Sequence, residues 1–153
     1  VSEKWDNRFL DLARFVSGWS KDPSTKVGAV IADANRRIVS VGYNGFPIGV
    51  DDTPWRLEDR EMKLSLTVHA EINAVLFAKS NGEVSGCTLY TWPFMPCDRC
   101  AVVIIQSQMI DHVTAPVAQS HHFKRWGDAF TIAYDVMREA GLSVTLLEGG
   151  QHA

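Results

Sequence analysis

No stretch of this chain approaches the roughly eighteen consecutive apolar residues that a membrane span requires. The first residues also show no apolar run behind a basic start of the kind that directs secretion. Positive charge is not in excess either: 15 Lys and Arg against 18 Asp and Glu give a formal charge of -3 with His neutral. No overall field therefore draws the protein onto a polyanion, and a stable nucleic-acid partner is not expected. Cysteine is scarce, with three residues, of which Cys97 and Cys100 are separated by only two positions. That is not the even framework of a small secreted domain, and it points to metal or redox chemistry. Repeats, low-complexity tracts and Pro- or Ser-rich linkers are missing as well. The 153 residues, 46% of them hydrophobic, thus fit one domain over 1–153 with a sizeable core. The expectation is a soluble, cytoplasmic protein with no membrane partner.

What is present is a change of period along the chain. Trp5, Phe9, Leu12, Ala13, Phe15, Val16 and Trp19 recur at three- and four-residue spacing, which predicts an amphipathic helix stopping near Asp22-Pro23. Val27 to Ala32 and Ile38 to Tyr43, joined by Asn35-Arg36, predict an antiparallel hairpin. A loop rich in Gly, Asn and Pro follows through Pro54. Leu57 to Ser80 predicts helix, broken near Thr67 and ending at Asn81-Gly82. Strands are expected at Cys87 to Trp92, Ile110 to Ala115 and Leu142 to Leu147, with helices at Cys100 to Gln108 and Trp126 to Ala140, the latter capped by Gly141. A hairpin followed by alternating helix and strand is an α/β sandwich with a mixed sheet between helices.

The chemistry concentrates in His69-Ala70-Glu71 and Pro96-Cys97-Asp98-Arg99-Cys100. One imidazole and two thiolates suit Zn2+, and three protein ligands leave the fourth tetrahedral position for water. A carboxylate beside the ion that is not itself a ligand can then move protons, and Glu71 is that carboxylate. Side chains at i and i+2 on a helix diverge by about 200°. His69 and Glu71 therefore converge only at a first turn, and the helix is placed to start near Val68. Pro96 suits a helix start beneath the cysteine pair, whose positive end favours thiolates.

The spacing matches the H-x-E and P-C-x-x-C signature of zinc nucleobase deaminases. His69-Ala70-Glu71-Ile72-Asn73-Ala74, Pro96-Cys97-x-x-Cys100-Ala101, Gly42-Tyr43-Asn44-Gly45-Phe46-Pro47 and Val27-Gly28-Ala29-Val30-Ile31 together resemble the deoxycytidylate (dCMP) deaminases. The resemblance implies a cytidine-deaminase-like three-layer α/β/α sandwich with a central five-stranded mixed sheet. It implies conversion of dCMP to dUMP and ammonia, one catalytic Zn2+ on His69, Cys97 and Cys100, and proton transfer by Glu71. It further implies Asn44 as partner of the sugar 3′-hydroxyl, the Ala70 N–H on the base O2, and the carbonyl near Met95 on the amino group. Effectors of the dCTP or dTTP kind and a homo-oligomer, hexamer or dimer, follow from the same resemblance. The chain departs from it in the bulkier Leu89-Tyr90-Thr91-Trp92-Pro93-Phe94-Met95 segment.

A nucleotide also needs its phosphate held. Ser24-Thr25-Lys26 is the best local cluster, since hydroxyls, a cation and turn amides can surround an anion. Lys124-Arg125-Trp126 is the second, with Arg to clamp and the indole to stack over the site or pack in the core; Arg56, Arg60 and Lys63 are further cations. Trp92 and Phe94 are expected to wall the pocket, Cys87 to be a buried hydrophobe, and His121 and His122 to lie in an exposed loop. Four readings compete with dCMP: another cytosine nucleotide such as dCTP or a 5-substituted dCMP, a polynucleotide or tRNA deaminase, a zinc-stabilised module whose fourth ligand replaces the open position, and a thioredoxin-like redox pair at Cys97 and Cys100, which gives His69 and Glu71 no role.

Overall fold

The computed structural model describes residues 3–80, 82 and 84–148. The apolar stripe of the first segment forms α1, Glu3–Ser17, and buries Phe9, Leu10, Ala13 and Val16. The hairpin is β1, Gly28–Ala32, and β2, Ile38–Tyr43. After it come α2, Pro54–Glu58, α3, Arg60–Leu66, and α4, Ala70–Lys79. The remainder alternates: β3, Cys87–Trp92, α5, Asp98–Ser107, β4, Ile110–Pro116, α6, Ser120–Glu139, and β5, Ser143–Leu147.

The five strands form one sheet in the order β2-β1-β3-β4-β5. β1 is antiparallel to both neighbours, with Val30 opposite Val41 on one side and Tyr90 on the other. β3, β4 and β5 run parallel, with Leu89 opposite Val113 and Val113 opposite Val144. That split follows from the connections. A short turn can reverse the chain between β1 and β2, whereas parallel strands need a crossover, which α5 and α6 supply. Alternating residues of the sheet then face opposite cores. Val30, Ala32 and Tyr90 pack on Phe9, Leu10 and Ala13 of α1. Ala29, Ile31, Leu89 and Val113 pack on Ala74, Ile104, Phe130 and Met137 of the opposite helices. The architecture is the expected α/β/α sandwich around a five-stranded mixed sheet.

Two glycines let helices approach the sheet closely. A Cβ at Gly28 would lie 1.9 Å from the Ala13 carbonyl oxygen, and one at Gly42 would lie 2.5 Å from the Ala70 oxygen and 2.6 Å from the Ala74 nitrogen. At the far end of the chain Gly141 takes φ +94°. The Leu142 N–H donates to the Met137 carbonyl at 2.9 Å, closing α6 as expected of a glycine cap.

Several boundaries differ from the sequence reading, among them the start of α4, which is Ala70 rather than Val68 because His69 is its N-cap. α2 occupies what reads as loop, because Pro54 at its first turn fixes a helical φ. α6 begins at Ser120 rather than Trp126, which puts His121 and His122 on a helical first turn instead of in a loop. Its polar first turns carry no apolar period to announce them. α5 begins at Asp98, with Cys97 as its N-cap. The expected break at Thr67 is present: the Thr67 hydroxyl donates to the Lys63 carbonyl at 2.6 Å, its ψ is 125°, and the helix restarts at Ala70. Of the Asn81-Gly82 stop, Asn81 lies outside the described residues, and Gly82 has φ +89°.

Candidate active site

His69 and Cys97 each occupy the N-cap of a helix, with extended ψ values of 152° and 173°. Their carbonyls accept the first intrahelical bonds, from Asn73 at 3.0 Å and from Ala101 at 2.9 Å. The two side chains thus project from the ends of α4 and α5 toward one point, and Cys100, one turn into α5, joins them. His69 Nδ1 lies 3.2 Å from Cys100 Sγ and 3.6 Å from Cys97 Sγ. The three donor atoms all fall within 4.8 Å of one another. One nitrogen and two sulfurs at that separation fit the radius and softness of a zinc ion.

The positive ends of two helices face the thiols. Contact with the Cys100 thiol outweighs burial at Cys97 and, with the His69 bond, brings it down to about 4. The same contact, with burial and Glu71, pushes Cys100 up. Contact with Cys97 raises His69 against its burial. Glu71 is 3% exposed, and its Oε2 lies 3.4 Å from Cys100 Sγ. Burial pushes its carboxyl above the usual range. The result is a carboxyl able to hold a proton beside a three-donor metal site.

The loop after β2 fixes this arrangement. Gly42 admits the first turns of α4 against the strand. The Tyr43 carbonyl accepts from Asn73 Nδ2 at 2.8 Å, and Gly45 pairs with Val68 through bonds of 3.1 and 2.7 Å, immediately before His69. Ser40 Oγ donates to the Ala74 carbonyl at 2.8 Å. Asn44 accepts from the Val27 N–H at 2.9 Å and donates to the Thr25 carbonyl at 2.9 Å, tying the loop to the entry of β1. Gly-Tyr-Asn-Gly therefore works first as the frame of the metal site, a role the spacing alone does not disclose.

A cavity of about 140 Å³ opens over the site, lined by His69, Ala70, Glu71 and Cys97 at one end. Phe94 and Trp126, 5.0 Å apart, wall it, and Asn44, Ser24, Thr25, Asp22, Lys63 and Arg125 line the rest. A groove of about 840 Å³ adjoins it and shares Ser24, Thr25, Arg125 and Trp126. The sequence candidates are thus brought together in part. Asn44, Ala70, Ser24, Thr25 and Trp126 line the cavity; Met95 is buried in the main core and is not among its lining residues. Lys26 lines the groove, with its ammonium bonded to the Ser20 carbonyl at 2.6 Å. The Ser24 and Thr25 amides are already engaged by Asp22 Oδ1, at 2.8 and 3.1 Å, which leaves their hydroxyls for a ligand. Trp92 lines the groove rather than the cavity, and Cys87 is fully buried, as expected. The sequence reading did not single out Asp22, and it gave Lys63 no place apart from other cations. Their pairing is a tertiary contact with no local signal.

Comparison with known proteins gives a consistent placement. Residues 3–115 match the family described as the cytidine and deoxycytidylate deaminase zinc-binding region. An uncharacterized deaminase from the luxG 3′ region of Aliivibrio fischeri is 46% identical over 144 residues, 94% of each chain. A probable deoxycytidylate deaminase of Caenorhabditis elegans is 49% identical over 109 residues, 69% of this chain; the match spans 54% of that relative's length. The fold of the dCMP deaminase of cyanophage S-TIM5, solved with dCMP and dUMP, is similar, with a TM-score of 0.74 at 22% identity over 96% of this chain and 99% of that one.

Proposed function

This chain belongs to the cytidine and deoxycytidylate deaminase zinc-binding family, and from that premise we propose that it hydrolyses dCMP to dUMP and ammonia. The observation that carries the reading is the gathering of three N/S donors within 4.8 Å of one another, with His69, Cys97 and the buried carboxyl of Glu71 lining a 140 Å³ cavity that has aromatic walls. His69, Cys97 and Cys100 would hold one zinc ion, whose Lewis acidity makes water nucleophilic near neutral pH.

The protein's own groups do the rest. Phe94 and Trp126, packed on each other, form one aromatic wall against which the pyrimidine lies, and they exclude bulk water. Glu71 takes the proton of the attacking water and delivers it to ring N3 as the oxygen adds at C4. It then takes the proton of the C4 hydroxyl and passes it to the 4-amino group, so that the C4–N bond breaks, ammonia leaves and the C4 carbonyl forms. Burial suits Glu71 to this, because a carboxyl raised toward neutrality both accepts and returns a proton. The Ala70 N–H takes the base O2 and the Asn44 side chain the 3′-hydroxyl.

The partners follow the same reading. Exposed Leu76 and Phe77 on α4 and exposed Val102 and Val103 on α5 support a homo-oligomer through those helices. A cavity of about 160 Å³ beside the Tyr43-Asn44-Gly45-Phe46 loop supports an effector of the dCTP or dTTP kind. Among the described residues no helix is long and apolar enough to cross a membrane, and the three cysteines are free, which suits a reducing cytoplasm. The adjoining groove has room for more than one phosphate, so dCTP is the second reading. The test is ammonia release by the zinc-loaded protein on dCMP, dCTP, CMP, deoxycytidine and 5-methyl-dCMP. Preferred turnover of dCMP is expected; inertness of every cytosine compound would overturn the reading.

A further inference from the structure

Phe94 is the hub of the aromatic wall. Its carbonyl accepts the buried Thr91 hydroxyl at 2.7 Å. Its ring meets Trp126 at 5.0 Å, Phe130 at 5.2 Å and, edge to face, His122 at 4.9 Å. His122 also stands 6.0 Å from Trp126, so an imidazole is the polar member of an aromatic cluster. It lies half-buried on the first turn of α6 and lines the larger groove. Its Nδ1 is shut off from water and has no hydrogen-bond partner among the described residues. A neutral nitrogen can be left so at modest cost, whereas charging the ring there means burying part of a cation without a partner. The surroundings favour the neutral form as well. The His121 ring is 3.9 Å away, and two imidazoles that close do not readily both take a proton. Of the other charged groups lining the groove, Arg14 of α1, Lys26 ahead of β1 and Arg125 of α6 are positive and Glu148 beyond β5 is negative. Residues 92–96 and Phe130, on the other side, bring no titratable group. Burial first, and His121 second, hold His122 below its ordinary 6.5.

We propose that His122 is a positioning residue for the reaction: its neutral ring completes the packing that sets Phe94 and Trp126 against the pyrimidine, and its protonation loosens that wall. The inference rests on the cytosine-nucleotide reading above and adds to it a side chain that touches no reacting atom. His122 acts through Phe94 and Trp126. Once charged, it draws toward the water of the groove, and Phe94 loses its edge-to-face contact. The wall meets the base in the bound substrate and in the transition state alike, so its loss raises KM and leaves kcat in place.

The test measures kcat and KM for dCMP from about pH 7.5 to about pH 5 in the zinc-loaded wild type, His122→Phe and His122→Ala. Phenylalanine keeps a ring at the position and cannot titrate. Ionisation of the substrate phosphate and any loss of zinc in acid are common to both proteins, so the ratio of kcat/KM, wild type over His122→Phe, isolates the imidazole. That ratio should fall about 2- to 10-fold across the range, with the change in KM. His122→Ala should raise KM about 2- to 10-fold at every pH, as loss of one aromatic contact does. A flat ratio, or a wild-type KM in His122→Ala, overturns the proposal. Near-ultraviolet circular dichroism reads the wall without turnover: the aromatic signal of the wild type should diminish over the same range and that of His122→Phe should not. Equal behaviour of the two proteins again overturns it. If the wild type turns over no cytosine compound, the deamination reading fails by itself, and the dichroism still decides His122.

Discussion

At Glu71 the requirement of chemistry and the requirement of stability oppose each other. Its folded carboxyl is raised by burial, so between its ordinary value of 4.5 and its folded value the native state binds more protons than the unfolded chain. Stability therefore falls as pH rises through that interval. Glu71→Gln removes the ionisable group, and calorimetry of the metal-free variant at neutral pH should show a midpoint at least about 2 °C above wild type. A lower midpoint would mean the carboxylate stabilises the fold. Cys97 behaves in the opposite sense, since its thiolate is favoured and partly exposed whereas Cys87 and Cys100 are buried. Iodoacetamide should alkylate Cys97 first in the chelated protein, with mass spectrometry of the digest as readout, and bound zinc should protect it. Both residues stand out in the sequence because three possible metal donors and a carboxyl come as two short, rigidly spaced motifs. Asp22 and Lys63 do not, because they meet across 41 positions.

At the scale of elements, the site is made by where helices begin. His69 and Cys97 are N-caps, and α4 can start at that height over the sheet only because Gly42 lets the Ala70 and Ala74 backbone approach. Gly42→Ala places a methyl into backbone atoms rather than into a yielding side chain. It should cost about 1–3 kcal/mol in denaturant unfolding, as overpacking does, and should weaken zinc retention because His69 moves with its helix. Full zinc content at wild-type stability would remove Gly42 from that role. Strands such as Val27 to Ala32 and Ile38 to Tyr43 were readable since burial on one or both faces leaves a plain pattern in sequence. The start of α6 was hidden for the converse reason: Ser120 to Arg125 is mostly exposed, so no apolar period marks it. α2 is a single turn set by Pro54, too short for any period.

On the scale of the whole molecule, acid and metal set the working range. Burial alone would raise Asp22, but the amides of Thr25 and Ser24 and the Lys63 ammonium outweigh it and hold the carboxyl below its usual 3.8. That stabilisation is complete above the ordinary value and is lost as pH falls through the folded one. Asp22→Asn should therefore be less stable than wild type at pH 7, with the gap closing below about pH 4 in acid unfolding followed by circular dichroism. A gap that persists at low pH would assign the effect to packing. Zinc joins two helices on one side of the sheet, so chelation should lower the thermal midpoint and separate loss of activity from loss of fold.

The central claim is that Glu71 moves the protons at a zinc site on His69, Cys97 and Cys100. Its most direct test is Glu71→Gln, purified with zinc, assayed for dCMP turnover, metal content and dUMP binding together. The account predicts one zinc per chain and near wild-type dUMP affinity, with turnover reduced by at least about 10²–10⁴-fold. Turnover close to wild type in that zinc-loaded variant would contradict it.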